Sequence, residues 1–270
     1  MFTFPNIDPI AFYIFNWPVR WYGISYFMAF IVWLFLVKHY NTKYALYFAE
    51  KTNNTHFDNM LTYGIVGIIL GGRLGHMFFY DFDRMIQDPV SIFKTWEGGM
   101  AFHGGLVGCI IACTIYIKRH KLSFNIIADL VSLVVPIGLF FVRIANFINA
   151  ELFGRITDSK WGIIFPGHTH PRHPSQLYEA FFEGIFMFIV LRFCFPYVAK
   201  NRFHGCIYGM FFVLYGVSRF MIEYVREPSD GEFTVLGYIL SYGQILTLPM
   251  VLIGFIICLN SIYRRKIAVL

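Results

Sequence analysis

The sequence predicts an all-α, polytopic membrane protein of about seven transmembrane helices, with its N-terminus outside, its C-terminus inside and a small subdomain on the outer face. Three observations predict it. The chain is 57% apolar and only 14% charged, where a soluble domain carries about a quarter charged residues; its mean hydropathy is +0.57. Stretches of membrane-spanning length lack Asp, Glu, Lys and Arg altogether: Trp21–Val37, Gly98–Ile117 and Phe233–Tyr263. Basic residues, finally, gather in alternate loops, as the positive-inside tendency requires.

The opening segment MFTFPNIDPIAFYIFNWPVR has no basic n-region, and Asp8, Pro9, Asn16 and Pro18 interrupt its apolar residues. It does not read as a cleavable signal peptide; residues 1–19 are expected to form a surface or re-entrant segment before the first span. Helices are expected near 20–38, 60–80, 100–117, 123–142, 176–195, 205–225 and 235–259, all within one integral-membrane domain covering 1–270. The loops after the first, third, fifth and seventh helices carry Lys38, Lys43, Lys51; Lys118, Arg119, Lys121; Arg192, Lys200, Arg202; and Arg264, Arg265, Lys266, twelve of the 22 Lys and Arg residues. That clustering places these loops in the cytoplasm. It also accounts for the net charge of +6 without invoking a nucleic acid partner. The loop 151–174, with His168, His170 and His173, falls outside and is long enough to be a small subdomain rather than a linker.

Cys109, Cys113, Cys194, Cys206 and Cys258 lie in or beside apolar runs with no CxxC pair, so they read as packing residues. No HExxH or comparable spacing points to a metal, and no cofactor is expected.

The polar residues inside the apolar spans carry the functional information. An arginine near mid-bilayer costs several kcal/mol, so such residues normally face a bundle interior or a wet cavity. Here the expected orientation brings Tyr26, Arg73, His103, Arg143 and Arg219, from five spans, to similar depth in the outer leaflet. In YGVSRFMIEYVRE, at about 100° per residue, Tyr215, Arg219, Glu223 and Arg226 project within roughly 80° of one another. Arg219 and Glu223 have the spacing of an i,i+4 ion pair, which could be purely structural. In RIANFINAELFGR, Arg143, Asn146 and Gly154 share a face if the helix continues, with Glu151 close by; Arg143 alone could equally be snorkelling from a span end. Two arginines on different helices can hold a phosphate, because guanidinium matches its oxygens in bidentate fashion and stays protonated.

EGGMAFHGGLVG sets His103 between glycine pairs, and Gly98 and Gly104 would let the backbone approach a ligand or a neighbouring helix. A near-neutral imidazole suits a proton-acceptor role, although a structural hydrogen bond would also explain it. GGRLGH reads as a close helix contact, with Arg73 able to touch a headgroup but better read in a structural role. HPSQLYE reads as a helix entry that turns Glu179 and Glu183 inward. Together these residues describe an outward-opening cavity at headgroup depth, for which a phospholipid phosphate is the natural guest.

VRWYGISY (19–26), GGRLG (71–75), GGMAFHGG (98–105), RIANFINAELFGR (143–155), HPSQLYE (173–179), YGVSRFMIEYVREP (215–228) and GQILTLPM (243–250) resemble, in order and across nearly the whole chain, the bacterial phosphatidylglycerol–prolipoprotein diacylglyceryl transferase family. Phe140, Phe141, Val142, Ala145 and His76 depart from the residues usual there. The resemblance implies transfer of a diacylglyceryl group from phosphatidylglycerol to the lipobox cysteine thiol of a prolipoprotein signal peptide. It implies a multi-pass protein of the bacterial inner membrane with a periplasm-facing site, surrounded by membrane lipids. On matching positions it points to Tyr26, His103, Arg143, Asn146, Glu151, Gly154, Tyr215, Arg219 and Glu223. The expected roles are catalytic for His103, Arg143 and Arg219. Tyr26, Asn146, Glu151, Gly154, Tyr215, Glu223, Gly98 and Gly104 are expected to bind substrate. The competing class, a lipid or anion transporter using the same arginines, predicts internal pseudo-symmetry that the sequence does not plainly show; a scaffold protein leaves the converging polar spans unexplained.

Overall fold

A computed structural model describes residues 2–5, 7–47, 52–94, 96, 98–227, 232–235 and 238–267; Lys51, Glu97 and Pro228, singled out in the sequence, lie outside the described residues. Two short strands, β1 (Phe2–Thr3) and β2 (Ile10–Ile14), precede β3 (Trp17–Arg20) and α1 (Trp21–Tyr44). There follow α2 (Thr55–Phe79), α3 (Phe82–Gln87), α4 (Phe102–Arg119), α5 (Phe124–Ile148), β4 (Ile163–Ile164), α6 (Ser175–Glu179), α7 (Met187–Lys200), α8 (Cys206–Ile222), β5 (Glu232–Val235), β6 (Tyr238–Ser241) and α9 (Tyr242–Ile267). Among the described residues, five helical stretches are long and apolar enough to cross a membrane: α1, α2, α5, the continuous Ser175–Lys200 and α9. The chain is therefore an all-α polytopic membrane protein, as its composition predicts.

Each expected helix has a counterpart, with two differences of substance. The last begins at Tyr242 rather than near 235, because β5 and β6 pair antiparallel in front of it, Glu232 opposite Ser241. The fifth is not uniform: between α6 and α7 the turn widens into a π-helical stretch, Ala180–Phe186, a distortion that recurs at functional sites.

The fold groups into two compact units, Met1–Phe48 with Ala128–Leu270, and Ala49–Ile127. In the first, the segment ahead of α1 is a β2–β3 hairpin that feeds into α1 at Trp21. β1 pairs in parallel with β4, bringing Phe4 against Phe147 and Phe165 at ring separations of 5.3 and 5.4 Å. Bridges Ile156–Arg172 and Ile163–Arg172 close the 151–174 region on itself. The Arg172 guanidinium lies 5.0 Å over the Phe153 ring. That loop is thus a packed substructure with its own aromatic core.

In the second unit α2 and α4 meet along a glycine seam. A Cβ on Gly108 would stand 2.1 Å from the Gly67 carbonyl oxygen, and one on Gly104 2.3 Å from that of Gly71, so the backbones touch as small-residue helix pairs do. Arg73, buried, donates to the carbonyls of Ser91 (2.5 Å), Ile92 (3.1 Å), Gly99 (3.2 Å) and Gly98. Its guanidinium ties down the chain ahead of α4, the structural role the sequence suggested.

Candidate active site

The first unit assembles its polar residues from α5, α6 with its π-helical continuation, and α8. Asp129, buried in the second turn of α5, sets the register of α8. Its carboxylate accepts from the backbone N–H groups of Gly205 (2.7 Å) and Tyr208 (3.0 Å), which satisfies donors that a helix start otherwise leaves orphaned. Further along, Arg143 on α5 and Arg219 on α8 converge on one carboxylate of α6, that of Glu179.

Glu179 is fully buried. Its Oε1 stands 2.6 Å from Arg219 Nη1 and 2.6 Å from Arg226 Nη1, and its Oε2 3.1 Å from Arg143 Nε. The last contact is an ion pair by distance rather than a well-directed hydrogen bond, since neither atom finds a hydrogen-bond partner in the geometric sense. Arg143 Nη2 lies 3.3 Å from Oε2 of Glu183, also fully buried. Arg219 Nη2 lies 3.0 Å from Glu223 Oε2, the i,i+4 pair expected from the sequence. Three guanidinium groups therefore face three carboxylates inside apolar helices. Burying either set alone would cost several kcal/mol per charge.

Asn146, one turn beyond Arg143, donates from Nδ2 to Glu151 Oε1 (2.7 Å), and the Asn146 carbonyl accepts from the Glu151 N–H (3.1 Å). Gln176 Nε2 holds the Glu151 carbonyl at 2.6 Å and Ser175 Oγ that of Leu152 at 3.0 Å. The condition under which Gly154 would share a face with Arg143 and Asn146, a helix continuing that far, is not met, although α5 runs six residues past its expected end at 142. The helix stops at Ile148 and the chain turns through Ala150 and Leu152 at φ of 52° and 57°. Gly154 instead bridges to Arg226, and a Cβ there would lie 2.3 Å from the Val225 carbonyl oxygen. Its missing side chain lets two strands of backbone meet beside the cluster. Tyr215 lies within electrostatic reach of Arg143, Arg219, Glu179 and Glu183. Tyr26 on α1, 40% exposed, lies within reach of Arg143 and Glu151, its ring 5.4 Å from that of Tyr22.

His103, Gly98 and Gly104 belong to the second unit. His103 is exposed at the start of α4 and lines a largely apolar cavity of about 1340 Å³ together with Leu70, Leu74, Phe78 and Val107. Gly104 lies in the α2–α4 seam. Gly98 has φ of +85°, open space where a Cβ would be, and a carbonyl bound by Arg73. Outside the spans, burial lowers the affinity of the His173 imidazole for a proton, and the hydrogen bond from Lys94 Nζ, at 2.9 Å, holds the Asp88 carboxyl below its usual range.

The sequence brought out the arginines and Glu223 but gave Glu179 and Glu183 only an inward direction. Their signal was two carboxylates spaced i,i+4 in an otherwise apolar helix, which only makes sense opposite cations. Among the described residues no group of His, Cys, Asp and Glu is arranged to hold a metal ion.

Comparison with known proteins covers the helices that carry this cluster. The family model for prolipoprotein diacylglyceryl transferase matches residues 9–260. A phosphatidylglycerol–prolipoprotein diacylglyceryl transferase of Glaesserella parasuis is 43% identical over 98% of this chain and 97% of its own length. Proteins of the same description are 42% identical in Vibrio cholerae O1 (97% of this chain, 94% of the relative) and 43% identical in Rickettsia bellii (96% and 97%). A match of this length and identity, running through α1, α5, α6 and α8, shows that the chain belongs to the prolipoprotein diacylglyceryl transferase family.

Proposed function

We propose that this protein transfers the diacylglyceryl group of phosphatidylglycerol to the cysteine thiol of a prolipoprotein lipobox, releasing glycerol phosphate, at a periplasm-facing site in the bacterial inner membrane. The observation that carries the reading is that Arg143 and Arg219, from separate helices, meet at one buried carboxylate. Paired guanidiniums aimed at one point suit a phosphodiester whose cleavage releases glycerol phosphate as an anion.

In the reaction the cysteine sulfur attacks the glycerol carbon that bears the phosphate. A C–S bond forms, the C–O bond to phosphate breaks, and its electron pair leaves with the glycerol phosphate. A free thiol has a pKa of about 8.5, so only a few per cent is thiolate at pH 7. His103 takes the thiol proton, and the field of the arginines favours the thiolate. Arg143 and Arg219 stabilise charge on the leaving phosphate as preorganised donors. Glu223 fixes Arg219, while Tyr26 and Asn146, the latter tied to Glu151, orient the headgroup. Tyr215 lines the same space. Gly154 supports it through backbone approach, and Gly98 and Gly104 shape the chain around His103. The β2–β3 hairpin ahead of α1 and the 151–174 substructure lie on the outer face of a single integral-membrane domain.

The deciding experiment incubates the purified protein with phosphatidylglycerol and a lipobox peptide. The expected result is a diacylglyceryl mass on the peptide cysteine with stoichiometric glycerol phosphate. Absence of both from folded protein overturns the proposal.

A further inference from the structure

The six charges of the cluster are balanced before any lipid arrives: Arg143, Arg219 and Arg226 against Glu179, Glu183 and Glu223. A phosphodiester entering among them adds a negative charge, and an uncompensated buried charge is costly. One contact must therefore give way, and the carboxylates are not equally committed. Glu179 touches three guanidinium groups at 3.1 Å or less. Glu223 is at 3.0 Å from Arg219 on its own helix, wedged against Gly243, where a Cβ would lie 2.8 Å from its carboxyl carbon. Glu183 has a single ion-pair contact among the described residues, 3.3 Å to Arg143 Nη2. Its other oxygen, Oε1, finds no hydrogen-bond partner although the side chain is fully buried. It also sits in the π-helical stretch, where the next residue, Gly184, is pressed against Phe140.

We propose that Glu183 is the resident anion of the phosphate site: it occupies Arg143 Nη2 in the absence of lipid and yields that donor to the phosphodiester on binding. The proposal rests on the reading of Arg143 as a phosphate ligand. Glu183 then acts as a specificity-determining residue. A ligand must offer Arg143 a better anion than the carboxylate already there, so a neutral lipid such as a diacylglycerol gains nothing from the arginines, while an anionic phosphodiester does. Discrimination of this kind comes from what the wrong ligand fails to displace. A half-satisfied buried carboxylate is a poor stabiliser, which is the expected cost of such a competitor.

The test is Glu183→Gln in the full-length protein, assayed with phosphatidylglycerol in mixed micelles and a lipobox peptide. Removing the competing charge is expected to lower KM for phosphatidylglycerol roughly fivefold, the scale of one hydrogen bond, with kcat moving less, whatever stability is lost with the ion pair. Glu183→Asp, which keeps the charge on a shorter arm, is expected between wild type and Glu183→Gln. A KM that is unchanged or raised in Glu183→Gln overturns the proposal, as does a loss of stability and turnover together, which is what a merely structural role predicts. Should neither variant fold, infrared difference spectra of the wild type on adding phosphatidylglycerol decide instead. A shifted carboxylate stretch is expected, and a flat carboxylate region overturns the idea. Arg143→Lys in the same assay separates the two readings. If it keeps the wild-type KM, the phosphate assignment itself fails, whatever Glu183 does.

Discussion

Replacing Glu179 by glutamine keeps the shape of the side chain and removes its charge. Three guanidinium contacts, at 2.6, 2.6 and 3.1 Å, then lose their common anion. Removing one partner from a buried ion pair typically costs about 3–5 kcal/mol. Two facts reduce that figure here. Arg143 and Arg219 retain Glu183 and Glu223, and their side chains are 15% and 16% exposed, so water shares some of the charge. The amide oxygen also still accepts one hydrogen bond. Arg226, whose side chain is 9% exposed and whose ion-pair contact among the described residues is with Glu179, loses most. A destabilisation of roughly 2–3 kcal/mol follows. Turnover should suffer more, because Arg143 and Arg219 are held in convergence by this carboxylate, and a displacement of about 1 Å in a catalytic group can cost on the order of a hundredfold. The assay is glycerol phosphate release by purified Glu179→Gln, alongside thermal unfolding in detergent. Turnover within threefold of wild type at unchanged stability would refute Glu179 as the organiser of the arginines.

His103→Gln is expected to lose most turnover at pH 7 and to recover part of it near pH 9, where a thiol of pKa about 8.5 ionises unaided; a pH–rate profile checks this, and full activity at pH 7 removes His103 as the proton acceptor. Gly108→Val places a side chain where even a Cβ would lie 2.1 Å from the Gly67 carbonyl oxygen. It is expected to separate α2 from α4, measured as loss of folded yield and earlier thermal unfolding, while Gly98→Ala, strained at φ of +85° but with open space for its Cβ, is milder. His173 binds its proton less readily in the folded chain than in an unfolded one. Below the ordinary imidazole pKa of about 6.5 the unfolded state therefore takes up more protons, and stability falls as pH drops. His173→Gln should flatten that dependence between about pH 7 and pH 5 in thermal unfolding, and an unaltered slope rules the group out.

Much of the fold was legible because membrane helices announce themselves by uncharged length. The residues that escaped did so for identifiable reasons. Phe233, Val235, Tyr238, Ile239 and Leu240 continue the uncharged run of the last span. Apolar content alone does not distinguish a hairpin from the first turns of a helix, and the pairing of β5 with β6 is a tertiary fact. At the end of α5 no glycine or proline marks the stop. The terminus is made by the Asn146 side chain capturing Glu151, and by Ala150 and Leu152 accepting left-handed backbone, conformations that sequence patterns seldom flag in non-glycine residues. The candidate cluster was legible in its cations. Arginine in an apolar span demands explanation wherever it occurs, whereas Glu179 and Glu183, read as facing inward, had no partner assigned to them. Only their burial opposite three guanidinium groups reveals them as the other half of the same device.

A phosphate site built inside a bilayer faces a constraint that a soluble one escapes. Bare arginines strong enough to hold a departing phosphate would be costly to insert and would retain the product. Matching each with a buried carboxylate solves the first problem, since the cluster of Arg143, Arg219, Arg226, Glu179, Glu183 and Glu223 carries no net charge. It also addresses the second. Phosphatidylglycerol brings a monoanionic phosphodiester, but the leaving glycerol phosphate is a monoester whose second ionisation, with a pKa near 6, takes it toward two negative charges at pH 7. The second charge strengthens its attraction to the guanidinium groups and its repulsion from the displaced Glu183 alike, so the carboxylate offsets part of the tighter hold on the product. The same carboxylate that competes with the incoming lipid therefore favours departure of the product. On this argument Glu183→Gln, which binds lipid more tightly, should also release glycerol phosphate more slowly, visible as a burst in rapid-mixing experiments that the wild type lacks. A wild-type burst of equal size would show that release is governed elsewhere.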